Sequence, residues 1–282
     1  MKPTTQSSKS NSTQSNSENP IGIFDSGVGG LTVAHAVTQL LPNESIVYFG
    51  DVAHLPYGDK STAAIQAYSI KICELLLQQN CKLILIACYS ASSAAYELVK
   101  EYVGRKAIVL NMIDPVVNHL REHYVKRRVG LIGTKQTVHS NVFKKKVDEL
   151  NAQIDLTSLA TPLLVPMIEE GYYDNKIIES VIQEYLSCNE LSNIEALILG
   201  CTHYPLIKPL IHNYYRTGVD VIDTSDIVAK ALKGLLEYEN LLNRATNARR
   251  KFYVSDYTES FTKSASFFFK EAVQLEHYPL WD

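Results

Sequence analysis

The sequence predicts an α/β fold built on mainly parallel sheets. From Ile21 onward, short β-branched runs alternate with longer segments of helical period, which is typical of βαβ units. The 282 residues, 46% of them hydrophobic, suffice for one large or two small domains. Nine candidate strands favour two small sheets over one. They are 21–25, 46–51, 83–88, 107–112, 129–134, 154–160, 196–201, 219–223 and 251–256.

A weak internal repeat is consistent with two similar α/β halves. The segment IGIFDSGVGG (21–30) resembles VGLIGTKQTV (129–138), and LILIACYSAS (83–92) resembles ALILGCTHYP (196–205). In the second pair, the equivalent strand ends at a cysteine in each half. Two interpretations stay open, because a duplication and the shared composition of buried parallel strands would both produce this similarity.

Charge and composition restrict the expected partners. A formal net charge of -3 and a pI near 6.3 offer no basic surface for a phosphate backbone, so no nucleic-acid partner is expected. Residues 1–19 are almost all Ser, Thr, Asn, Gln, Lys and Pro, which predicts a disordered tail and no signal peptide. No later run approaches the roughly 20 apolar residues that span a bilayer. We therefore expect no membrane partner and a cytoplasmic location.

The cysteines indicate free thiols, two of them in a special position. The five cysteines are an odd number without an export signal or a CxxC pair, so we expect neither disulfides nor a metal site. Cys88 and Cys201 each follow an apolar strand, in ACYS and GCTH. A helix that starts there would favour a thiolate and lower the cysteine pKa. A single such cysteine is commonly structural, but two in matched contexts favour reactive thiols. The structural interpretation is kept for Cys73, Cys81 and Cys188.

Other polar residues also follow strand ends, where ligands bind in open α/β sheets. The segment from Asp25 to Gly30 predicts a tight turn whose N–H groups can hold a carboxylate or a phosphate. It matches neither GxGxxG nor the phosphate loop with its Lys. His203 is a candidate acid-base partner of Cys201, although a lone histidine is more often structural. On these grounds alone, Glu169 is a helix-surface charge.

Six segments of the chain occur in a recognisable order and spacing. They are GIFDSGVGGLTV, GDVAHLPYGDKS, IACYSASSAAY, VGLIGTKQTVHS, VPMIEEG and LGCTHYPLI. Together they resemble glutamate racemases of the aspartate/glutamate racemase superfamily, from about Ile21 to about Ile227. The resemblance implies two pseudo-symmetric α/β domains with the active site in the cleft between them. The expected boundaries are a tail at 1–19, a first domain at 20–112 plus 226–282, and a second domain at 113–225.

The resemblance also implies an activity and its residues. The expected isomerase interconverts L- and D-glutamate without pyridoxal phosphate, metal or other cofactor, and supplies D-glutamate for peptidoglycan and thus for cell-wall biogenesis. Cys88 would face the D-isomer and Cys201 the L-isomer, as paired acid and base. Asp25 would assist the first thiol, and His203 with Glu169 the second. Substrate contacts are expected from Asp25, Ser26, Tyr57, Gly58, Tyr89, Ser90, Thr202 and His203. A homodimer is also expected.

Inversion of an α-carbon explains why two thiols are needed. A proton must leave one face of the carbon and another must arrive on the opposite face, which a single fixed base cannot do. One group must be a thiolate while the other is a thiol, so their titrations are coupled.

One departure from the family lies beside a catalytic position. Tyr89 occupies the place of the usual Asn, and a tyrosine can donate an O–H but has no amide carbonyl. A racemase of the same superfamily that acts on aspartate or another amino acid therefore stays open. Phe143 likewise stands where a Tyr is common.

Two rivals from other classes stay open as well. A cysteine hydrolase would use Cys201 with His203, but neighbouring residues at a strand end usually point apart, and Cys88 would be idle. A non-catalytic module on the same scaffold would bind an amino acid without racemising it.

Overall fold

The computed structural model describes residues 17–257 and 265–282. The predicted tail lies outside the described residues over 1–16. The strands are β1 (Ile21–Asp25), β2 (Ile46–Gly50), β3 (Leu83–Ile86), β4 (Ile108–Asn111), β5 (Arg128–Gly133), β6 (Asp155–Ala160), β7 (Ala196–Gly200), β8 (Asp220–Ile222), β9 (Arg250–Val254) and β10 (Leu275–His277). The α-helices are α1 (Leu31–Leu40), α2 (Thr62–Gln78), α3 (Tyr89–Val103), α4 (Ile113–His123), α5 (Lys135–His139), α6 (Val142–Glu149), α7 (Leu164–Glu169), α8 (Lys176–Leu186), α9 (Lys208–Tyr215) and α10 (Ser225–Tyr238).

The strands form two sheets, and every pairing between described strands is parallel. One sheet has the order β10-β9-β2-β1-β3-β4 and the other the order β6-β5-β7-β8. The prediction of an α/β fold with mainly parallel sheets is thereby confirmed. The order β2-β1-β3-β4 in the first sheet corresponds to the whole of the second, with β1 equivalent to β5 and β3 to β7. The internal repeat in the sequence therefore reflects two halves of the same topology.

The nine predicted strands are all present, and β10 was missed. It is only three residues long and just its first residue, Leu275, is buried, so it lacks the apolar run that marks a strand. Seven of the predicted strands extend one or two residues too far at their carboxyl ends, and among them β2, β3 and β7 end before the polar residue. Consequently Asp51, Cys88 and Cys201 lie just beyond strand ends.

Helices cover both faces of the first sheet. Ile21 and Ile23 of β1 belong to an apolar cluster that continues into the second sheet, whereas Phe24 belongs to a cluster on the opposite face with Tyr57 and Cys88. Such burial on both faces explains why the strands are continuous apolar runs rather than alternating ones. Helices α1 and α10 pack against each other. Because α10 lies between β8 and β9, this contact holds the segment in which the chain returns to the first sheet.

The chain crosses between the sheets twice. The first sheet takes strands from 21–111 and 250–277, and the second takes strands from 128–222. Helix α4 lies in the first crossing and α10 in the second. The boundaries at 20–112 plus 226–282 and at 113–225 fall in these crossings and stay a prediction.

A buried ion pair ties the start of β3 to the connections around it. Lys82 Nζ donates to Glu44 Oε2 at 2.6 Å, to the Leu241 carbonyl at 2.8 Å and to the Ser17 carbonyl at 2.5 Å. Glu44 Oε1 accepts the N–H of Asn243 at 2.8 Å. Burial lowers the pKa of Lys82, and the hydrogen bond and charge of Glu44 oppose that shift. The pair is thus satisfied on both sides, as a buried ion pair must be.

Lys82→Met is expected to destabilise the protein by about 3–5 kcal/mol, because it leaves Glu44 buried without its charge partner. Urea unfolding followed by circular dichroism measures the change. Lys71→Met, at an exposed position on α2, is the matched control and should change the free energy of unfolding by less than about 0.5 kcal/mol. A similar small change for Lys82→Met would contradict the structural role of the pair.

Candidate active site

Asp25 ends β1 and begins the turn that the sequence marked as a ligand site. Its carboxylate is fully buried, and Oδ2 accepts the N–H of Gly30 at 2.8 Å and of Gly27 at 3.2 Å. Oδ1 has no hydrogen-bond partner among the described residues. Burial raises the pKa of Asp25, while the charge of His203 and the backbone N–H groups oppose the shift. A buried oxygen without a partner is costly, so it indicates where a ligand donor would bind.

Cys88 lies beside this turn at the N-terminus of α3. It is the N-cap residue of that helix, and its Sγ donates to the Ser26 hydroxyl at a distance of 3.7 Å. Burial raises the pKa of the Cys88 thiol to about 12, and the charge of Asp25 adds to the shift. The N–H of Ala91 and the Ser26 hydroxyl oppose it. The predicted lowering of this pKa is therefore wrong, because burial outweighs the helix N-terminus.

Cys201 follows β7 and lies in a second group of titratable residues. Its Sγ is 3.7 Å from His203 Nδ1, and His203 Nε2 is 2.8 Å from Glu169 Oε1. Burial lowers the pKa of His203, but its contacts with Cys201 and Glu169 outweigh burial and raise that pKa well above its usual value. The three side chains thus form a line from thiol to imidazole to carboxylate.

This geometry corrects three sequence-based expectations. Cys201 and His203 do not point apart, because the strand ends at Gly200 and the chain turns before the 3₁₀ helix Tyr204–Ile207. For the same reason Cys201 is not at the start of an α-helix, unlike Cys88. Glu169, expected at the surface, is the last residue of α7 and is only 18% exposed beside His203.

The two groups of residues meet at Gly29. A Cβ atom at Gly29 would lie 2.5 Å from Cε1 and Nδ1 of His203 and 2.8 Å from Thr202 Oγ1. Thr32 Oγ1 also donates to the Thr202 carbonyl at 3.1 Å. The Asp25 turn therefore packs directly on the segment that carries the second thiol. Gly29 and Thr32 were not singled out from sequence, and only the DSGVGG motif pointed to that turn.

A further contact joins segments that follow strands of the two sheets, around Thr134. The 3₁₀ helix Tyr57–Asp59 approaches the end of β5 so closely that a Cβ atom at Gly58 would lie 2.7 Å from Thr134 Cβ. The hydroxyls of Ser90 and Thr134 are 2.8 Å apart. Sequence reasoning missed Thr134, whose only signal is its position after an apolar strand.

Tyr89 is buried at the first position of α3. Its ring stacks on Phe143, with 5.9 Å between the ring centroids. Thr224 and Asp223 lie beside its hydroxyl, yet no well-aligned hydrogen bond to that oxygen is formed within the described residues. Two of the positions at which the sequence departs from the expected family pattern thus contact each other.

The other three cysteines lie outside the two groups of site residues described above. Burial raises the pKa of Cys81 to about 12 and that of Cys73 further, while Cys188 is half-buried. Over 17–257 and 265–282, no cluster of three or more His, Cys, Asp or Glu residues is arranged to hold a metal ion. In the same ranges, no helix is both long and apolar enough to cross a membrane.

Comparison with known proteins identifies the class that this fold and site define. The model of the Asp/Glu/Hydantoin racemase family matches residues 31–232. The chain therefore belongs to that family of racemases, and it is an isomerase.

Individual relatives narrow the class further. A glutamate racemase of Chlorobaculum parvum is 38% identical over 243 residues, which cover 86% of this chain and 89% of the relative. The crystal structure of glutamate racemase from Francisella tularensis in complex with D-glutamate is 39% identical, with a TM-score of 0.88 over 94% of this chain and 99% of that one. Glutamate racemase from Thermus thermophilus in complex with Beta-chloro-D-alanine is 37% identical, with a TM-score of 0.83 over 93% and 98% of the two chains. Within its family, the chain belongs with the glutamate racemases.

Proposed function

We propose that the protein interconverts L- and D-glutamate with Cys88 and Cys201 as the two acid/base groups. The observation that carries the proposal is the pair of buried thiols at equivalent strand ends, each with its own polar partners. Cys88 has Ser26 and Asp25, and Cys201 has His203 with Glu169 behind it. A relative crystallised with D-glutamate supports the choice of substrate.

The two thiols have different titratable neighbours, a carboxylate near Cys88 and an imidazole beside Cys201, which favours an acid and a base. The raised pKa of Cys88 keeps it a thiol, ready to donate a proton. The raised pKa of His203 keeps a positive charge on the imidazole, whose Nδ1 lies 3.7 Å from Cys201 Sγ, so His203 can exchange a proton with that side of the site. L-Glutamate would then lose its α-proton to Cys201 and receive one from Cys88. In the opposite direction, Asp25 would take up the proton that Cys88 must release first and would pass it on before its free oxygen accepts the α-ammonium group.

Substrate binding is derived from the polar groups that surround the thiols. The free oxygen of Asp25 is the best acceptor for the α-ammonium group, whose charge would also offset the burial of that carboxylate. The hydroxyl of Tyr57 already donates to Asp51 at 2.6 Å, so its contact with a substrate carboxylate would come from the main-chain N–H, as for Gly58. Further donors would be the hydroxyls of Ser26, Ser90 and Thr202, whereas both ring nitrogens of His203, which was also expected to bind substrate, already face Cys201 and Glu169. Both thiols are buried, and keeping water away from them would strengthen these contacts as carbanion charge develops.

Incubation with L-glutamate alone, followed by circular dichroism, tests the proposal. The signal should decay to zero as the racemate forms, with chelator present and without pyridoxal absorbance. In deuterated water, newly formed D-glutamate should carry deuterium while early remaining L-glutamate stays protiated. A reducing agent should be needed, because thiolates oxidise readily. Faster racemisation of aspartate than of glutamate, or loss of activity on chelation, would contradict the proposal.

A cysteine hydrolase is favoured by one observation, the line of Cys201, His203 and Glu169. The second buried thiol and its carboxylate have no task in that reaction. Membership in the racemase family also weighs against it. Release of ammonia from glutamine or of an amine from glutamyl amides would be required to support it.

Tyr89→Phe is expected to lower kcat/KM for glutamate about tenfold, the value of one hydrogen bond to a charged group. The reason is that the buried Tyr89 hydroxyl lacks a well-aligned partner and lies within electrostatic reach of Cys201. Steady-state kinetics with both enantiomers measures the effect. Tyr204→Phe is the comparison, because its hydroxyl is already paired with Thr161 at 2.6 Å. Unchanged kinetics in Tyr89→Phe would mean that the residue only packs on Phe143.

The cellular role follows from the same proposal. D-Glutamate made in the cytoplasm would supply peptidoglycan synthesis, and the five free cysteines fit a reducing compartment. Expression in a bacterial strain that requires D-glutamate should restore growth without the supplement. The proposed homodimer is tested by light scattering of the purified protein.

A further inference from the structure

A fully buried carboxylate outside the proposed proton transfers collects four hydrogen bonds. Asp51 Oδ2 accepts from the Tyr57 hydroxyl at 2.6 Å and faces His54 Nδ1 at 3.0 Å. Oδ1 accepts from Trp281 Nε1 at 2.8 Å and from the Ser255 hydroxyl at 2.9 Å. These donors come from three distant parts of the chain, so Asp51 connects them.

The segment that carries Trp281 is held against this carboxylate by aromatic packing. The Trp281 ring meets His54 edge-on, with 4.5 Å between centroids, and meets Tyr68 at 5.6 Å. His54 in turn stacks on Tyr68 at 3.9 Å. The indole N–H is therefore oriented by its neighbours and points at Asp51.

Asp51 also contacts two segments that carry proposed site residues, the Asp25 turn and the Tyr57–Gly58 turn. Its backbone N–H donates to the Asp25 carbonyl at 3.0 Å. Its carboxylate fixes the Tyr57 hydroxyl, and burial followed by the Asp51 charge raises the pKa of Tyr57, which keeps that proton in place. The next residue, Gly58, is the one that approaches Thr134 of the second domain. A shift of Asp51 would thus reach the turn that lies at the domain contact.

We propose that Trp281 is a positioning residue of the active site, which acts through the Asp51 carboxylate on the Tyr57–Gly58 turn. The turn would present its main-chain N–H groups to the substrate only when Tyr57 is anchored. Trp281 supplies one of the four donors that orient the anchor, although it touches no reacting atom. In its kinetic consequences, this inference rests on the proposed racemisation of glutamate.

Trp281→Phe tests the inference, because it keeps an aromatic ring and removes the N–H that reaches Asp51. The KM for glutamate is expected to rise about three- to tenfold while kcat changes less than about twofold, since binding geometry and not chemistry is disturbed. Tyr278→Phe is the matched control, because Tyr278 lies in the same segment and contacts Phe49 and Tyr253 instead. An unchanged KM in Trp281→Phe, or an equal rise in the control, would overturn the inference.

A double variant separates positioning from general loosening. Tyr57→Phe removes the hydroxyl that donates to Asp51 at the other end of the same series of contacts, and it should raise the KM for glutamate as well. If Trp281 acts through Asp51 on Tyr57, the double variant should have the KM of Tyr57→Phe alone. Multiplication of the two single effects would show that Trp281 acts elsewhere and would contradict the inference.

A spectroscopic measurement makes the test independent of racemisation. Trp281 is the single tryptophan of the chain, so its fluorescence reports on this site alone. Tyr57→Phe should shift the Trp281 emission in the absence of substrate, because both side chains share one carboxylate. Unchanged emission counts against the coupling whether or not the protein racemises glutamate. Shifted emission without racemisation by the wild-type protein contradicts only the proposed function.

Discussion

Replacement of either Cys88 or Cys201 by alanine is expected to reduce racemisation at least about a thousandfold, within the range for loss of a general acid or base. Each variant lacks the proton donor or acceptor on one face of the α-carbon, so inversion cannot be completed. Each should still remove and return a proton on the remaining face. In deuterated water, Cys88→Ala should therefore exchange the α-proton of L-glutamate alone, and Cys201→Ala that of D-glutamate alone.

Circular dichroism measures the racemisation, and proton NMR measures the exchange. Cys188→Ala is the control, because this half-buried thiol only donates to the Glu184 carbonyl at 3.6 Å. It should retain full activity. Exchange of both enantiomers by one single-cysteine variant would contradict the assignment of one thiol to each face, and retained inversion would contradict the two-base mechanism.

Gly29→Ala is expected to lower kcat/KM more than about a hundredfold, since a displacement of about 1 Å at reacting groups has that effect. The added methyl group would overlap the His203 ring and the Thr202 hydroxyl, so the imidazole must move away from Cys201 or the Asp25 turn must withdraw. Either movement breaks the alignment between the two thiols. Steady-state kinetics measures the loss, and far-ultraviolet circular dichroism verifies that the fold is kept.

Gly234→Ala provides the comparison for Gly29→Ala. A Cβ atom there meets nothing within 4 Å, and the residue lies inside α10. Alanine should stabilise that helix by about 0.5–1 kcal/mol and leave kinetics unchanged. If Gly29→Ala were as active as Gly234→Ala, the contact between the Asp25 turn and His203 would not matter for catalysis.

The local pattern of apolar and polar residues in the sequence was sufficient to predict most of the fold. Parallel strands that are buried on both faces appear as apolar runs, so nine of the ten strands in the described part of the chain could be predicted. Polar residues at the ends of those runs predicted where a site would form, and the repeated strand-to-cysteine pattern indicated two equivalent halves. The Cys88 and Cys201 positions needed no tertiary information, because ligands bind at the carboxyl ends of strands in open α/β sheets and each cysteine follows such an end.

The sequence by itself thus determined the fold class, the family and the two thiols. Only the tertiary structure decided how their surroundings act on them. Glu169 meets His203 across 34 residues, and Trp281 meets Asp51 across 230, separations at which no local spacing predicts a contact. Burial depends on the whole packed chain, and it reversed the expected pKa shift of Cys88. Local residue order sets strands, turns and motifs, whereas long-range packing sets the distances and desolvation that control proton transfer.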